Sequence, residues 1–218
     1  MLPDLDEGGG QAPPSLSIPE IRDYQKINAE LVSLLDQGCP LVRLEGAEGQ
    51  RLLASGLSGP WRAVVEILGR TGPEVAADLD TPGLTVIVRG STLDGAARGL
   101  RAGRVLVTGE AGDAVGYGQS GGILVIAGAA GHRAGLAQSG GTLAILGPTG
   151  RLAGDRQAGG RLFVVRGQVG PHAGRGRRGG RLIEIPPIDG LSDDDIEAWR
   201  EVADLAGPWI GPANLPSL

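Results

Sequence analysis

The residues of this chain that could do chemistry sit among glycines. Gly118-Gln119-Ser120-Gly121-Gly122 fits G-x-S-x-G, a pattern in which a sharp strand-to-helix turn presents a serine hydroxyl for attack on a carbonyl. Such a serine needs a histidine base and an acid to orient it, and His132 and His172 are the two histidines of the chain. Gly116-Tyr117-Gly118-Gln119-Ser120-Gly121 also fits G-x-G-x-x-G, as does Gly174 through Gly179. A dinucleotide fingerprint must open a helix inside a βαβ unit. After Ser120, however, comes an apolar run, Ile123-Leu124-Val125-Ile126, which reads as a strand. Both matches therefore read more simply as turn residues than as a nucleophile or a phosphate cradle.

Three other groups carry polar chemistry. His132 and His172 fall in different turns, without cysteine or acid neighbours at ligand spacing, so no metal site is expected. Gln119, Gln138 and Gln157 recur every 19 residues and predict an amide ladder, with a ligand-lining row as the alternative. Arg175, Arg177, Arg178 and Arg181 crowd one short stretch. Such a group suits an acidic protein surface or a phosphate, and the chain's own acidic C-terminal helix could supply that surface. Nucleic acid is a weaker reading, because aromatics are 3% of the chain and stacking platforms need them.

The elements that hold these residues repeat. Segments 104–122, 123–141 and 142–160 align without gaps, and 161–180 comes next with one inserted residue. Each carries a short apolar run and glycines at fixed phase: Gly109, Gly112 and Gly116; Gly128, Gly131 and Gly135; Gly147, Gly150 and Gly154; Gly167, Gly170 and Gly174. An earlier copy has Gly69, Gly72 and Ala76, and the next departs, with Leu93 and Ala97 at the second and third offsets. A period near 20 of this kind predicts a solenoid. No helix of useful length fits between runs so spaced, so the fold class expected is all-β, a single-stranded parallel β-helix of about six to seven coils.

Counting back from the first glycine of each coil assigns two interior columns. One holds Val65, Val86, Val105, Leu124, Leu143 and Phe163; the other holds Ile67, Val88, Val107, Ile126, Ile145 and Val165. The opposite face has Ile87, Leu106, Val125, Ala144 and Val164, with Glu66 the exception. So apolar a face predicts a cover, either the N-terminal segments or another subunit. The division expected is a flexible leader at 1–16, a helix and strands capping the solenoid at 17–60, the β-helix at 61–185, and an acidic helix with a proline-rich tail at 186–218. In the capping segment, Ile27, Leu31, Leu34 and Leu35 fall at helical spacing before Gly38. Leu41-Val42 and Leu52-Leu53 read as short strands, and Pro186-Pro187 reads as the end of the last one. Ser192, with Asp195 three residues on, reads as a helix N-cap.

Composition sets the remaining bounds. Glycine is 40 and proline 15 of 218 residues, which without a period would read as disorder; here the period argues for order. The lone Cys39 allows no internal disulfide. The absence of an apolar N-terminal run or a long apolar stretch predicts a soluble, cytoplasmic chain without a membrane partner. Net charge is −5, but 151–181 holds eight arginines and one acid, Asp155.

The tandem G-x-x-G-x-x-x-G coils, clearest in GEAGDAVGYGQSGGILVIAGAAGHRAG (109–135), resemble the GXGXG family of right-handed parallel β-helices. That family includes the C-terminal domain of the glutamate synthase large subunit, the C-subunit of formylmethanofuran dehydrogenase, and its equivalent in the formyltransferase/hydrolase complex. The stretch INAELVSLL followed by LVRLEGAEGQRLLASGL is similar to the lead-in of stand-alone members, which accompany glutamate synthase-like and N-methylglutamate synthase-like enzymes. The resemblance spans about residues 61–185. It implies a structural or assembly element of an oxidoreductase or formyl-transfer complex in one-carbon metabolism, with no catalytic residue, metal or cofactor of its own. It implies other protein subunits as partners, with self-association open. A glutamate synthase-like amidotransferase component is the second expectation, and an independent serine hydrolase using Ser120 the third.

Overall fold

The computed structural model describes residues 12–165, 168–185 and 190–215. In chain order these form β1 (Ser15–Ser17), α1 (Ile18–Ile21), α2 (Tyr24–Asp36), β2 (Leu41–Glu48), β3 (Ala63–Arg70), β4 (Asp80–Arg89), β5 (Ala102–Val107), β6 (Ile123–Ile126), β7 (Ser139–Ile145), β8 (Gly159–Val165), β9 (Arg181–Ile185) and α3 (Asp193–Ile210). All nine strands lie in one sheet in sequence order, and every pairing is parallel. Each strand therefore meets its neighbour after one full wind of the chain. This is a parallel β-helix, and seven winds carry it from β2 to β9.

The column begins earlier than the sequence suggests. Leu41 pairs with Val64, so the first wind starts at β2 rather than near residue 61. The first two winds run from Leu41 to Val64 and from Val64 to Thr85, both longer than 19 residues, and so the repeat is blurred there. From Thr85 to Arg104 the 19-residue step sets in. Leu52 and Leu53 are not a strand but part of the first turn, with Leu53 fully buried. The expected leader at 1–16 lies mostly outside the described residues; at its end, Ser15 and Leu16 already pair with Arg43 and Leu44.

Alternation puts one set of strand residues inside. Val42, Val65, Val86, Val105, Leu124, Leu143 and Leu162 share one interior column, and Leu44, Ile67, Val88, Val107, Ile126, Ile145 and Val164 share the next. The last coil corrects the sequence count. Arg161 pairs with Thr142 at the ordinary step, whereas Gly170 sits over Gly150. The inserted residue therefore falls after the strand, between Val164 and Gly170. A one-residue slip exchanges the faces of a strand, so Leu162 and Val164 point inward. Phe163 and Val165, counted as interior, belong to the outer face, where Phe163 is fully buried.

The turns need glycine for two separate reasons. At Gly131 a Cβ would press on the Asp113 carboxylate and stand 2.8 Å from the Gly112 carbonyl carbon, so the backbones of adjacent coils touch there. At Gly116, Gly135, Gly154 and Gly174 the requirement is positive φ, 64°, 68°, 68° and 69°. Ala76 and Ala97, at the same phase, hold φ of 53° and 52°. The conformation is thus fixed by the fold even where the residue is alanine. Gly167 lies outside the described residues.

The helices take different roles. Asp23 caps α2 by accepting from the Gln25 amide, and Gly38, at φ 82°, comes just past its end. Ile18, Ile27, Leu31 and Leu35 join the interior core, so α1 and α2 plug the first end of the column. Ser192 caps α3 in a capping box with Asp195. The helix runs on through Pro208 to Ile210, so Trp209 and Ile210 lie on a helix rather than in a tail. Pro186-Pro187 lie outside the described residues.

Candidate functional site

Covering the outer face settles where a docking surface is not. Ile87, Leu106, Val125, Ala144, Phe163 and Ile183 form one buried cluster with Ala198, Trp199, Val202, Leu205 and Ala206 of α3. Trp199 meets Phe163 edge-on, with ring centroids 5.3 Å apart. The cover is neither an N-terminal segment nor a second subunit but the chain's own C-terminal helix.

Two arginines fix its start. Asp195 is fully buried; it accepts from Arg161 Nε at 2.9 Å and is paired closely with Arg181 Nη1, while Arg161 also approaches Asp194 at 3.5 Å. Arg181 of the predicted basic group is thereby paired within the chain, although its side chain stays partly exposed. At the other end of the same face, Glu66 is nearly buried between Arg43 at 2.7 Å and Arg89 at 3.8 Å. Arg89 in turn lies over the Trp209 ring, 5.5 Å from its centre.

The polar residues of the coils are committed to their neighbours. Gln119, Gln138 and Gln157 are fully buried and continue the interior column of Leu57, Leu79 and Leu100. Gln157 Nε2 donates to Gln138 Oε1 at 3.0 Å. Otherwise each amide donates to backbone carbonyls: Gln119 to Gly121, Gly122 and Thr142, Gln138 to Gly140, Gly141 and Arg161, and Gln157 to Arg181. The expected ladder is therefore amide-to-carbonyl more than amide-to-amide. A second column was legible only as a polar phase. Asp94 Oδ1 accepts from the Asp113 amide at 2.8 Å, Asp113 Oδ1 from the His132 amide at 2.7 Å, and His132 Nδ1 from the Arg151 amide at 3.0 Å. His132 thus serves as a turn acceptor through Nδ1, which takes up the one lone pair that a neutral imidazole offers.

Ser120 is exposed at a turn followed by β6. No histidine or carboxylate is hydrogen-bonded to it among the described residues. His172 is exposed at φ 63°, at the phase of Arg133 and Leu152 rather than that of His132. No group of three or more His, Cys, Asp or Glu side chains gathers at metal-binding spacing among the described residues. No helix there is long and apolar enough to cross a membrane.

Arg175, Arg177 and Arg178 remain. All three are exposed on the last turn, and their side chains form no ion pair with a described residue. Arg151 and Arg156, equally exposed on the preceding turn, extend the group; the sequence count of eight arginines contained them, but only the fold brings them alongside. Two shallow grooves, about 650 Å³ and about 380 Å³, share Pro82 and Arg104 at the start-of-strand corner. Comparisons with protein-family models, with curated proteins and with solved structures find no match to this chain.

Proposed function

We propose that this chain is a non-catalytic β-helical assembly element of a larger enzyme complex, most like the C-subunit of a formylmethanofuran dehydrogenase or formyltransferase/hydrolase complex. The observation that carries the reading is the fate of the polar side chains. Buried glutamines, Asp94, Asp113 and His132 all hold one coil to the next, as a rigid support requires. The repeated glycine pattern at 109–135 supports the family likeness. A glutamate synthase-like component is the second reading, favoured by the lead-in sequence that here becomes α2 and the first wind.

Tagged chain purified from its native host tests the proposal. Stoichiometric recovery of an amidohydrolase and formyltransferase supports the first reading, and a flavin and iron–sulfur synthase supports the second. A chain that elutes alone at the mass of one copy counts against both. The hydrolase reading has its own test: Ser120→Ala should leave every activity of the preparation unchanged, and loss of ester hydrolysis would revive it.

A further inference from the structure

The two ends of the column are finished differently. At the first end, α1 and α2 plug the interior, and Asn28 completes the exposed turn. Its Nδ2 donates to the Leu52 carbonyl at 2.8 Å, and its Oδ1 accepts from the Ala54 amide at 2.9 Å. At the other end, β9 is the edge of the sheet. The helix beyond it turns back along the outer face instead of crossing the end. Interior side chains Leu182, Val169 and Ala173 stay half-buried there.

Backbone donors are also left over. In every earlier coil, two left-handed turn residues donate to the coil beyond: Arg133 to Arg151 and Ala137 to Asp155, then Leu152 to Pro171 and Arg156 to Arg175. His172 and Gly176 hold the same conformation, φ 63° and 64°, with no further coil among the described residues to receive their amides. Around these donors stand Arg175, Arg177 and Arg178, exposed and without a carboxylate partner among the described residues.

We infer that this end is a docking surface for an acidic polypeptide that adds a strand to β9 and sets carboxylates against Arg175, Arg177 and Arg178. An open sheet edge is a template for strand addition, and guanidinium groups favour carboxylate acceptors. The charge selects against a second copy of this chain. Head-to-tail stacking meets an end already closed by α1 and α2, and tail-to-tail stacking sets arginine against arginine. The inference rests on the assembly reading above and names the surface that reading uses.

Two experiments on the full-length chain test it, with Arg175→Glu, Arg177→Glu and Arg178→Glu combined in one variant. These side chains are exposed, so the variant should fold and melt as the parent does, which circular dichroism verifies. In the first experiment both chains are tagged and recovered from the native host. A partner that accompanies the parent and falls more than tenfold with the variant supports the inference. A partner retained by the variant overturns the end-on surface while leaving the assembly reading intact. A parent recovered alone sinks the assembly reading itself, and the inference falls with it.

The second experiment tracks a fluorescent Val-Glu alternating dodecapeptide by anisotropy at low salt, with hydrogen exchange read at 181–185. The expected result is saturable binding, at least tenfold weaker to the variant, with exchange of the β9 amides slowed in the complex. An equally charged peptide with proline at alternate positions should bind far less, because it cannot donate to a ladder. Equal binding of the two peptides, unchanged exchange at β9, or no binding at all overturns strand addition. Tighter binding of a single-stranded oligonucleotide of the same length overturns the choice of partner. So does binding that appears only after removal of residues 1–11, which would make the chain's own acidic leader the occupant.

Discussion

The first turns and the last turns of this column share a backbone path but differ in what they present. In the first turns the third interior column is Leu57, Leu79 and Leu100; in the later ones it is Gln119, Gln138 and Gln157. On the turn surface, Arg98 lies 3.1 Å from Glu74 and 3.1 Å from Asp78, while Arg51 and Arg101 each approach one of the same acids at 3.8 Å. The later turns carry Arg151, Arg156, Arg175, Arg177 and Arg178 with Asp155 as their one acid. A solenoid needs only nearest-neighbour agreement between coils. It can therefore be closed and charge-balanced at one end, and polar and basic at the other, without changing its fold.

That contrast can be broken in graded steps. Leu79→Ala empties part of the apolar half and should cost about 3 kcal/mol, as buried leucine truncations do, read from denaturant unfolding. Asp195→Ala strands Arg161 and Arg181 at the start of α3. Both arginines are partly exposed, so the loss should be about 2–3 kcal/mol, below the full penalty for a broken buried pair. It should appear first as faster hydrogen exchange along α3. Gln138→Leu makes the polar half resemble the apolar one. It removes a donor to Gly140, Gly141 and Arg161 and an acceptor for Gln157, and should cost about 2 kcal/mol in orphaned groups. A neutral result would mean that the two interiors are interchangeable. Gly135→Ala should cost least, about 1 kcal/mol, since Ala76 and Ala97 already hold that conformation in the first half. A loss as large as that of Leu79→Ala would show that the halves differ in backbone as well as in side chains.

The parallel stack, its interior columns and the capping of α3 were legible because period and phase encode them directly. The exceptions have local causes. Phe163 falls on the wrong face in a count backward from glycine, because that count assumes that the extra residue precedes the strand. The start at Leu41 was hidden because the two longest winds come first. The cover over Phe163 and Leu106 could not be read, because periodicity reports that a face is apolar and not what reaches it. Asp195 reads as a capping partner of Ser192, on an acidic helix that could meet the arginine group; that it is fully buried between Arg161 and Arg181 is settled only by the path of α3. The basic group was visible in the sequence, but its division into Arg181, which is paired within the chain, and Arg175, Arg177 and Arg178, which are free of ion pairs with described residues, was not.

The path of α3 also bears on the size of the molecule. Asp195 anchors it at β8 and β9, and Trp209 anchors it at Arg89 on β4. From β4 to β9 the strands climb roughly 24 Å at ~4.8 Å per strand, and from Asp195 to Trp209 the helix rises roughly 21 Å. The helix is thus a ruler laid along the stack. Duplicating or deleting one 19-residue unit between those anchors would leave it about three residues too short or too long. A repeat that could otherwise lengthen freely is held to a fixed number of storeys by a segment outside it.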